Sequence, residues 1–139
     1  MILLDACVIS EPLRQSPEIR VIEWIDAQPL ETMYLCAITV AELRSGVALL
    51  APGKRQQGLL ESLEKRVLPL FAGRVLPFDL SCTQAYASLM AKTRAAGVEL
   101  GMAQGYVAAV AAANGLTVAT RNAAPFQAAG VATLNPWWL

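Results

Sequence analysis

The feature that most constrains this chain is a recurring unit: a short unbroken apolar run, then a polar residue, then apolar residues at helical spacing. Ile2-Leu3-Leu4 stops at Asp5, Met33 to Ile38 runs into Thr39, and Leu116 to Ala119 stops at Thr120. Runs this short, with no alternation of polar and apolar residues, are expected of strands covered on both faces. After the second run, Val40, Leu43, Val47 and Leu50 fall on one face of a helix predicted to begin at Thr39. Covered strands that return through helices predict an α/β sandwich. Its sheet should be mostly parallel, with four or five strands and helices on both faces.

The segments between these units agree with that layout. Val8 to Arg14 is a short helix stopped near Pro12, and Pro17 opens the next as a first-turn residue, with Ile19, Ile22, Trp24 and Ile25 running to Ala27. Pro29 marks a turn. Pro52-Gly53 breaks the chain, after which Leu59, Leu60, Leu63, Val67 and Leu70 predict one long helix to Phe71, closed by Gly73. Arg74 to Phe78 is a third strand. Ala85 and Leu89 lie in a helix ending at Gly97, and Tyr106, Val107 and Val110 lie in an alanine-rich helix stopped by Asn114-Gly115. Asn122 or Thr120 can cap a short helix around Phe126, and Val131 to Leu134 is a last strand. No repeat or linker divides the 139 residues, so a single domain over 1–139 is expected.

Composition removes several function classes. Lys+Arg and Asp+Glu both number 11, which leaves no basic excess to act as a nucleic-acid footprint. Histidine is absent, and Cys7, Cys36 and Cys82 show no CxxC spacing, which argues against structural zinc, a histidine triad and a disulfide framework. Reduced, buried thiols are expected. Hydrophobic residues reach 55% while charged ones stop at 16%, so some surface should be reserved for a partner, in a homodimer or an obligate complex. No run is long enough to span a membrane and no signal peptide opens the chain, so a cytoplasmic, membrane-free location is expected.

Four polar positions stand where this layout puts a site. In parallel sheets ligands gather beyond the carboxyl ends of the strands. Asp5 follows the first strand and Asn122 the fourth; Glu42 lies in the first turn of the helix after the second strand, and Gln104 near the start of the alanine-rich helix. Carboxylates brought from separate points are how a chain without histidine holds a hard divalent ion. Each position also has a local reading. Asp5 and Asn122 can be helix N-caps, Thr39-x-x-Glu42 has the form of a capping box, and Gln104 is an unremarked first-turn residue.

Longer blocks carry a family resemblance. Met1-Ile-Leu-Leu-Asp5, Val8-Ile-Ser-Glu-Pro-Leu-Arg14, Ala37-Ile-Thr-Val-Ala-Glu-Leu-Arg44 with Gly46-Val47, Gly105-Tyr-Val-Ala-Ala109 and Thr117-Val-Ala-Thr-Arg121 resemble, in order, PIN-domain toxins of the VapC/FitB type. Leu134-Asn-Pro-Trp137 and Leu68-Pro-Leu-Phe-Ala-Gly-Arg-Val-Leu-Pro77 resemble the FitB branch. The resemblance implies a Mg2+- or Mn2+-dependent endoribonuclease toxin, held by a small antitoxin that also carries it to promoter DNA. It implies a site of three or four acids at Asp5, Glu42, Gln104 and Asn122, with Asp5, Glu42 and Gln104 as metal ligands.

The departures fall in that site. Two of the four are amides, which offer oxygen without charge, so metal affinity should be weakened; Gln104 is also one methylene longer than aspartate. Ala6 and Cys7 stand where the family has Thr and Asn. Glu11 and Glu99 are the nearest spare carboxylates, at no matching motif position, and Cys7 is a soft ligand ill suited to Mg2+. Arg121 and Arg44 read as phosphate contacts, as groups that orient an acid, or as surface ion pairs, and Trp137 and Trp138 as packing for the C-terminus on the sheet or a dimer face. Two functions follow: a ribonuclease toxin, or a PIN-shaped module with little or no catalysis that dimerises and binds an antitoxin, as a co-repressor on DNA.

Overall fold

The apolar runs become five short strands in the computed structural model, which describes Met1–Leu139. They are β1 (Ile2–Leu4), β2 (Met33–Cys36), β3 (Val75–Leu76), β4 (Thr117–Ala119) and β5 (Thr133–Leu134), in the spatial order β3-β2-β1-β4-β5. Every neighbouring pair is parallel, with Leu3 beside Tyr34 on one side and Val118 on the other. From β1 the chain builds outward to β2 and β3, then crosses back to lay β4 and β5 on the opposite side. The reversal leaves a crevice beyond the carboxyl ends of β1 and β4.

Seven α-helices cover the sheet: α1 (Ala6–Ser10), α2 (Ile19–Ala27), α3 (Ala37–Ala48), α4 (Lys54–Glu61), α5 (Leu80–Ala95), α6 (Met102–Asn114) and α7 (Ala123–Ala128). Successive strand side chains point to opposite faces, and the core divides accordingly. Leu3, Cys36 and Val118 pack with Leu89, Val107, Val110 and Phe126 from α5, α6 and α7. Leu4, Leu35 and Ala119 pack with Val8, Val21, Leu43 and Leu63 on the other face. α6 runs through the first layer with Val107 to Ala111 wholly buried, and its alanines let neighbours approach closely. A Cβ at Gly105 would lie 3.2 Å from the Tyr86 ring of α5.

Several expected boundaries shift. α2 starts after an N-cap at Glu18, so Pro17 precedes the helix instead of opening it. The long helix expected up to Phe71 is α4 followed by a π-helical stretch (62–67) and a 3₁₀ stretch (68–71), the last with a proline in its first turn. The third and last strands keep only two residues each, Val75–Leu76 and Thr133–Leu134, and both lie at the edges of the sheet, where short strands limit the exposed unpaired backbone.

The boundary that matters most is that of α3. β2 ends at Cys36, which takes the N-cap position, and the helix begins at Ala37, two residues before Thr39. Thr39 is therefore inside the helix. Its side chain is fully buried, and its Oγ1 has no hydrogen-bond partner. A buried hydroxyl left unpaired costs about 1–3 kcal/mol. Thr39→Val keeps the shape and removes the orphan, and should raise stability by roughly 1 kcal/mol, about 4 °C in Tm for a domain of this size, read by thermal denaturation.

Candidate active-site crevice

Asp5 is held from three directions. Its backbone N–H donates to Ala119 O at 3.0 Å, which extends the β1–β4 ladder to the floor of the crevice. Its Oδ1 accepts from Ala6 N–H at 2.9 Å, so the capping role expected for it at α1 is real. Its Oδ2 accepts from the Thr120 hydroxyl at 2.8 Å, a buried bond that ties the ends of β1 and β4 together. The Thr120 Oγ1 in turn accepts from Asn122 N–H at 3.1 Å. A buried carboxylate fixed this way points one way only, and Thr120, which the sequence offered merely as a cap for α7, is the residue that orients it.

Glu42 comes from α3. With Thr39 inside the helix and Cys36 at the N-cap, the capping box does not form, and Glu42 faces the crevice instead. Its pKa is raised from 4.5, first by partial burial and then by the carboxylate of Asp5. Two like charges thus share one space with no side-chain cation bonded to either. Such an arrangement favours a bound positive charge.

The amides line the same crevice. Gln104 is the third residue of α6, and its side chain curls back so that Oε1 lies 3.4 Å from where a Cβ on Gly101 would sit. Asn122 stands at the N-cap position of α7, yet its side chain makes no capping bond, so the local reading of this residue fails. Asp5, Glu42, Gln104 and Asn122 line one open cavity of about 560 Å³, joined only by Ala6, Cys7 and Arg121. All four positions singled out in the sequence meet.

The remaining candidates separate cleanly. Glu11 is buried elsewhere, accepting from Arg14 at 3.1 Å and from Glu18 N–H at 3.0 Å, and Glu99 lines a different depression. Cys7 accepts from Arg121 N–H at 3.5 Å, and burial pushes its thiol pKa up, so it sits in the crevice as a neutral thiol. Cys36 and Cys82 are buried and free. Arg44 makes a two-pronged pair with Glu64 at 2.7 and 3.0 Å on the surface. Arg121 makes no ion pair, and its guanidinium lies over the Trp137 ring, 5.1 Å from the centroid. Trp137 packs as expected against the second core layer, whereas Trp138 is exposed.

The donor set can be judged on its chemistry. Asp5, Glu42, Gln104 and Asn122 all present hard oxygens, which suit Mg2+ or Mn2+, and two carboxylates suffice where a phosphate completes the shell. No trio of Asp, Glu, Cys or His side chains able to hold a metal converges anywhere in the chain. The set fits a hard divalent ion, with half the charge a four-acid site would supply. The PIN-domain family model matches residues 2–131.

This chain belongs to the PIN-domain family. Among its relatives, plasmid stability protein StbB of Pseudomonas syringae pv. tomato is 61% identical over 99% of both chains. The VapC ribonuclease Y4jK of Sinorhizobium fredii is 53% identical over 99% of this chain and 98% of its own length. Toxin FitB of Neisseria gonorrhoeae is 55% identical over 99% of both. Among solved structures, FitAcB from Neisseria gonorrhoeae superposes with a TM-score of 0.96 over 100% of both chains at 55% identity. FitAB bound to an IR36 DNA fragment matches with the same score at 52% identity, over 100% of this chain and 97% of that one. The PIN fold, all-parallel and five-stranded, is therefore the fold of this chain.

Proposed function

We propose that this chain acts as one PIN domain over residues 1–139, as the toxin of a type II toxin–antitoxin pair in the cytoplasm. Its activity is that of an endoribonuclease with a weakened hold on Mg2+ or Mn2+. The observation that carries this reading is the meeting of Asp5, Glu42, Gln104 and Asn122 in one crevice. Relatives named VapC ribonuclease and Toxin FitB, each more than half identical, support it. No helix is long and apolar enough to cross a membrane.

Asp5 and Glu42 would be the charged ligands, with Gln104 contributing a neutral oxygen and Asn122 beside them. A divalent ion in that set supplies positive charge against a phosphodiester and makes water more acidic. The chain supplies the rest. Thr120 O–H and Ala6 N–H keep the Asp5 carboxylate turned into the crevice. Glu42 presents the second carboxylate from another element, α3. The Asn122 amide has the shape of aspartate but takes up no proton.

Ala6, Cys7 and Glu42 also open into an apolar groove of about 430 Å³, lined by Leu43, Val47, Leu50 and Leu59. That groove suits a segment of a small antitoxin, which would close the crevice as it binds. With Lys+Arg equal to Asp+Glu, this chain would reach DNA only through that partner. A homodimer accounts for surface residues such as Leu49, Leu80 and Met102, each more than 70% exposed.

Purified protein with Mg2+ or Mn2+ should cleave RNA, and Asp5→Ala should reduce cleavage by at least about 100-fold, as expected when a principal site group is lost. Cleavage that survives this change, in a variant shown to remain folded, would sink the reading. A second reading is favoured by the two uncharged positions: a PIN-shaped module that dimerises and binds the antitoxin without useful catalysis. Absence of cleavage together with tight antitoxin binding would select it.

A further inference from the structure

Arg121 is the one cationic side chain lining the crevice. Its surroundings are unusual for a surface arginine. No carboxylate pairs with it, and no protein acceptor takes any of its five N–H donors; the bonds at this residue involve its backbone alone. Instead the guanidinium lies over Trp137 at 5.1 Å. Arginine stacked on an aromatic face keeps its donor edge outward and loses little further freedom when that edge is used.

The stacking partner is itself fixed. Trp137 is half-buried against the second core layer, and its carbonyl accepts from Arg20 at 3.3 Å. Its backbone N–H donates to Asn135 Oδ1 at 3.0 Å, while Asn135 Nδ2 donates to Arg121 O at 3.3 Å. Asn135 thus clamps Arg121, two residues beyond β4, to the C-terminal segment that carries the tryptophan. A free planar donor fork beside two carboxylates, buttressed from behind, is arranged for an anion that approaches the acids.

We propose that Arg121 binds a phosphate of single-stranded RNA in the crevice and that Trp137 is its positioning residue. The proposal rests on the ribonuclease reading above and adds how substrate is held against Asp5 and Glu42, whose own charge repels it. Arg121 supplies a two-pronged donor to phosphate oxygens, which a lysine would match in charge but not in geometry. Trp137 limits where the fork points.

The test measures binding without metal. A 5′-fluorescein-labelled single-stranded RNA is titrated with protein in EDTA, across a range of salt, and followed by anisotropy. Arg121→Gln should weaken binding about 10-fold at low salt and lower the slope of log affinity against log salt by about 0.7, the loss of one phosphate contact. Arg121→Lys should keep the slope and recover part of the affinity. Trp137→Leu should weaken binding several-fold, Trp137→Phe much less, and Trp137→Leu should add nothing in the Arg121→Gln background. Unchanged binding and slope in Arg121→Gln, with wild-type binding intact, would overturn this inference and leave the ribonuclease reading standing. Additive losses from the two substitutions would overturn the positioning role of Trp137. Wild-type protein that binds no RNA in EDTA would overturn the inference, while cleavage with Mg2+ or Mn2+ decides the ribonuclease reading separately.

Discussion

Gln104→Asp combined with Asn122→Asp should raise metal-dependent RNA cleavage by roughly two to three decades at limiting Mg2+. The basis is Coulombic. A charge about 4 Å from another contributes up to about 4 kcal/mol at an effective dielectric near 20, and much less where water enters, as it does in this open crevice. Taking about 1.4–2 kcal/mol for each restored carboxylate gives the two to three decades. The backbone should accept both changes. Position 104 lies in the first turn of α6, which has no acidic residue and no side-chain cap, so a carboxylate there also meets a favourable helix dipole. Position 122 is already an N-cap site whose side chain is unused. A natural chain that already cleaves as fast as this double variant would show that charge does not limit the site.

The same variant separates metal binding from turnover. Clustered carboxylates repel one another when no cation is present; the pKa of Glu42 is already raised, first by burial and then by the charge of Asp5. In EDTA the double variant should melt below the natural chain. Saturating Mg2+ at about 100 times its dissociation constant should then raise its stability by about 2.7 kcal/mol, near 10 °C in Tm, with a much smaller response in the natural chain. Equal responses would mean that positions 104 and 122 do not face the ion.

Much of this site was legible before the structure because strands and site share one signal. The apolar runs ending at Asp5 and Thr120 fix where β1 and β4 stop, and a parallel sheet puts its ligands beyond those ends. What the sequence hid is set by tertiary context. Thr39-x-x-Glu42 matches a capping box residue for residue, yet β2 hands over to α3 at Cys36, so the motif lies inside the helix and Glu42 turns to the crevice. Thr120 carries no local mark of its bond to Asp5, a residue 115 positions away. Arg121 and Trp137 meet because β4 pairs with β5, which brings the segments that follow the two strands together. Local patterns locate elements well, but partners between elements come from the topology.

Phe126→Ala should cost about 3–5 kcal/mol, which for a domain of this size lowers Tm by roughly 12–20 °C. Phe126 is fully buried in the core layer shared by α5, α6 and β4. α7 has six residues and no side-chain cap, so it depends on that burial and on the bonds at its C-terminal end, among them Val131 N–H to the Phe126 carbonyl at 3.0 Å. The loss therefore falls on the element that immediately follows Arg121 and Asn122. In the cold, where the variant is still folded, amide exchange should accelerate at residues 123–128 of α7 before it does in the sheet, and RNA affinity in EDTA should fall with it. Arg121→Gln should produce the opposite division, losing affinity at nearly unchanged Tm, because its exposed side chain makes no hydrogen bond or ion pair and only its stacking on Trp137 is lost. If Phe126→Ala lowers Tm while exchange in α7 and RNA affinity stay unchanged, α7 does not position the crevice wall, and the coupling between this core residue and the site is lost.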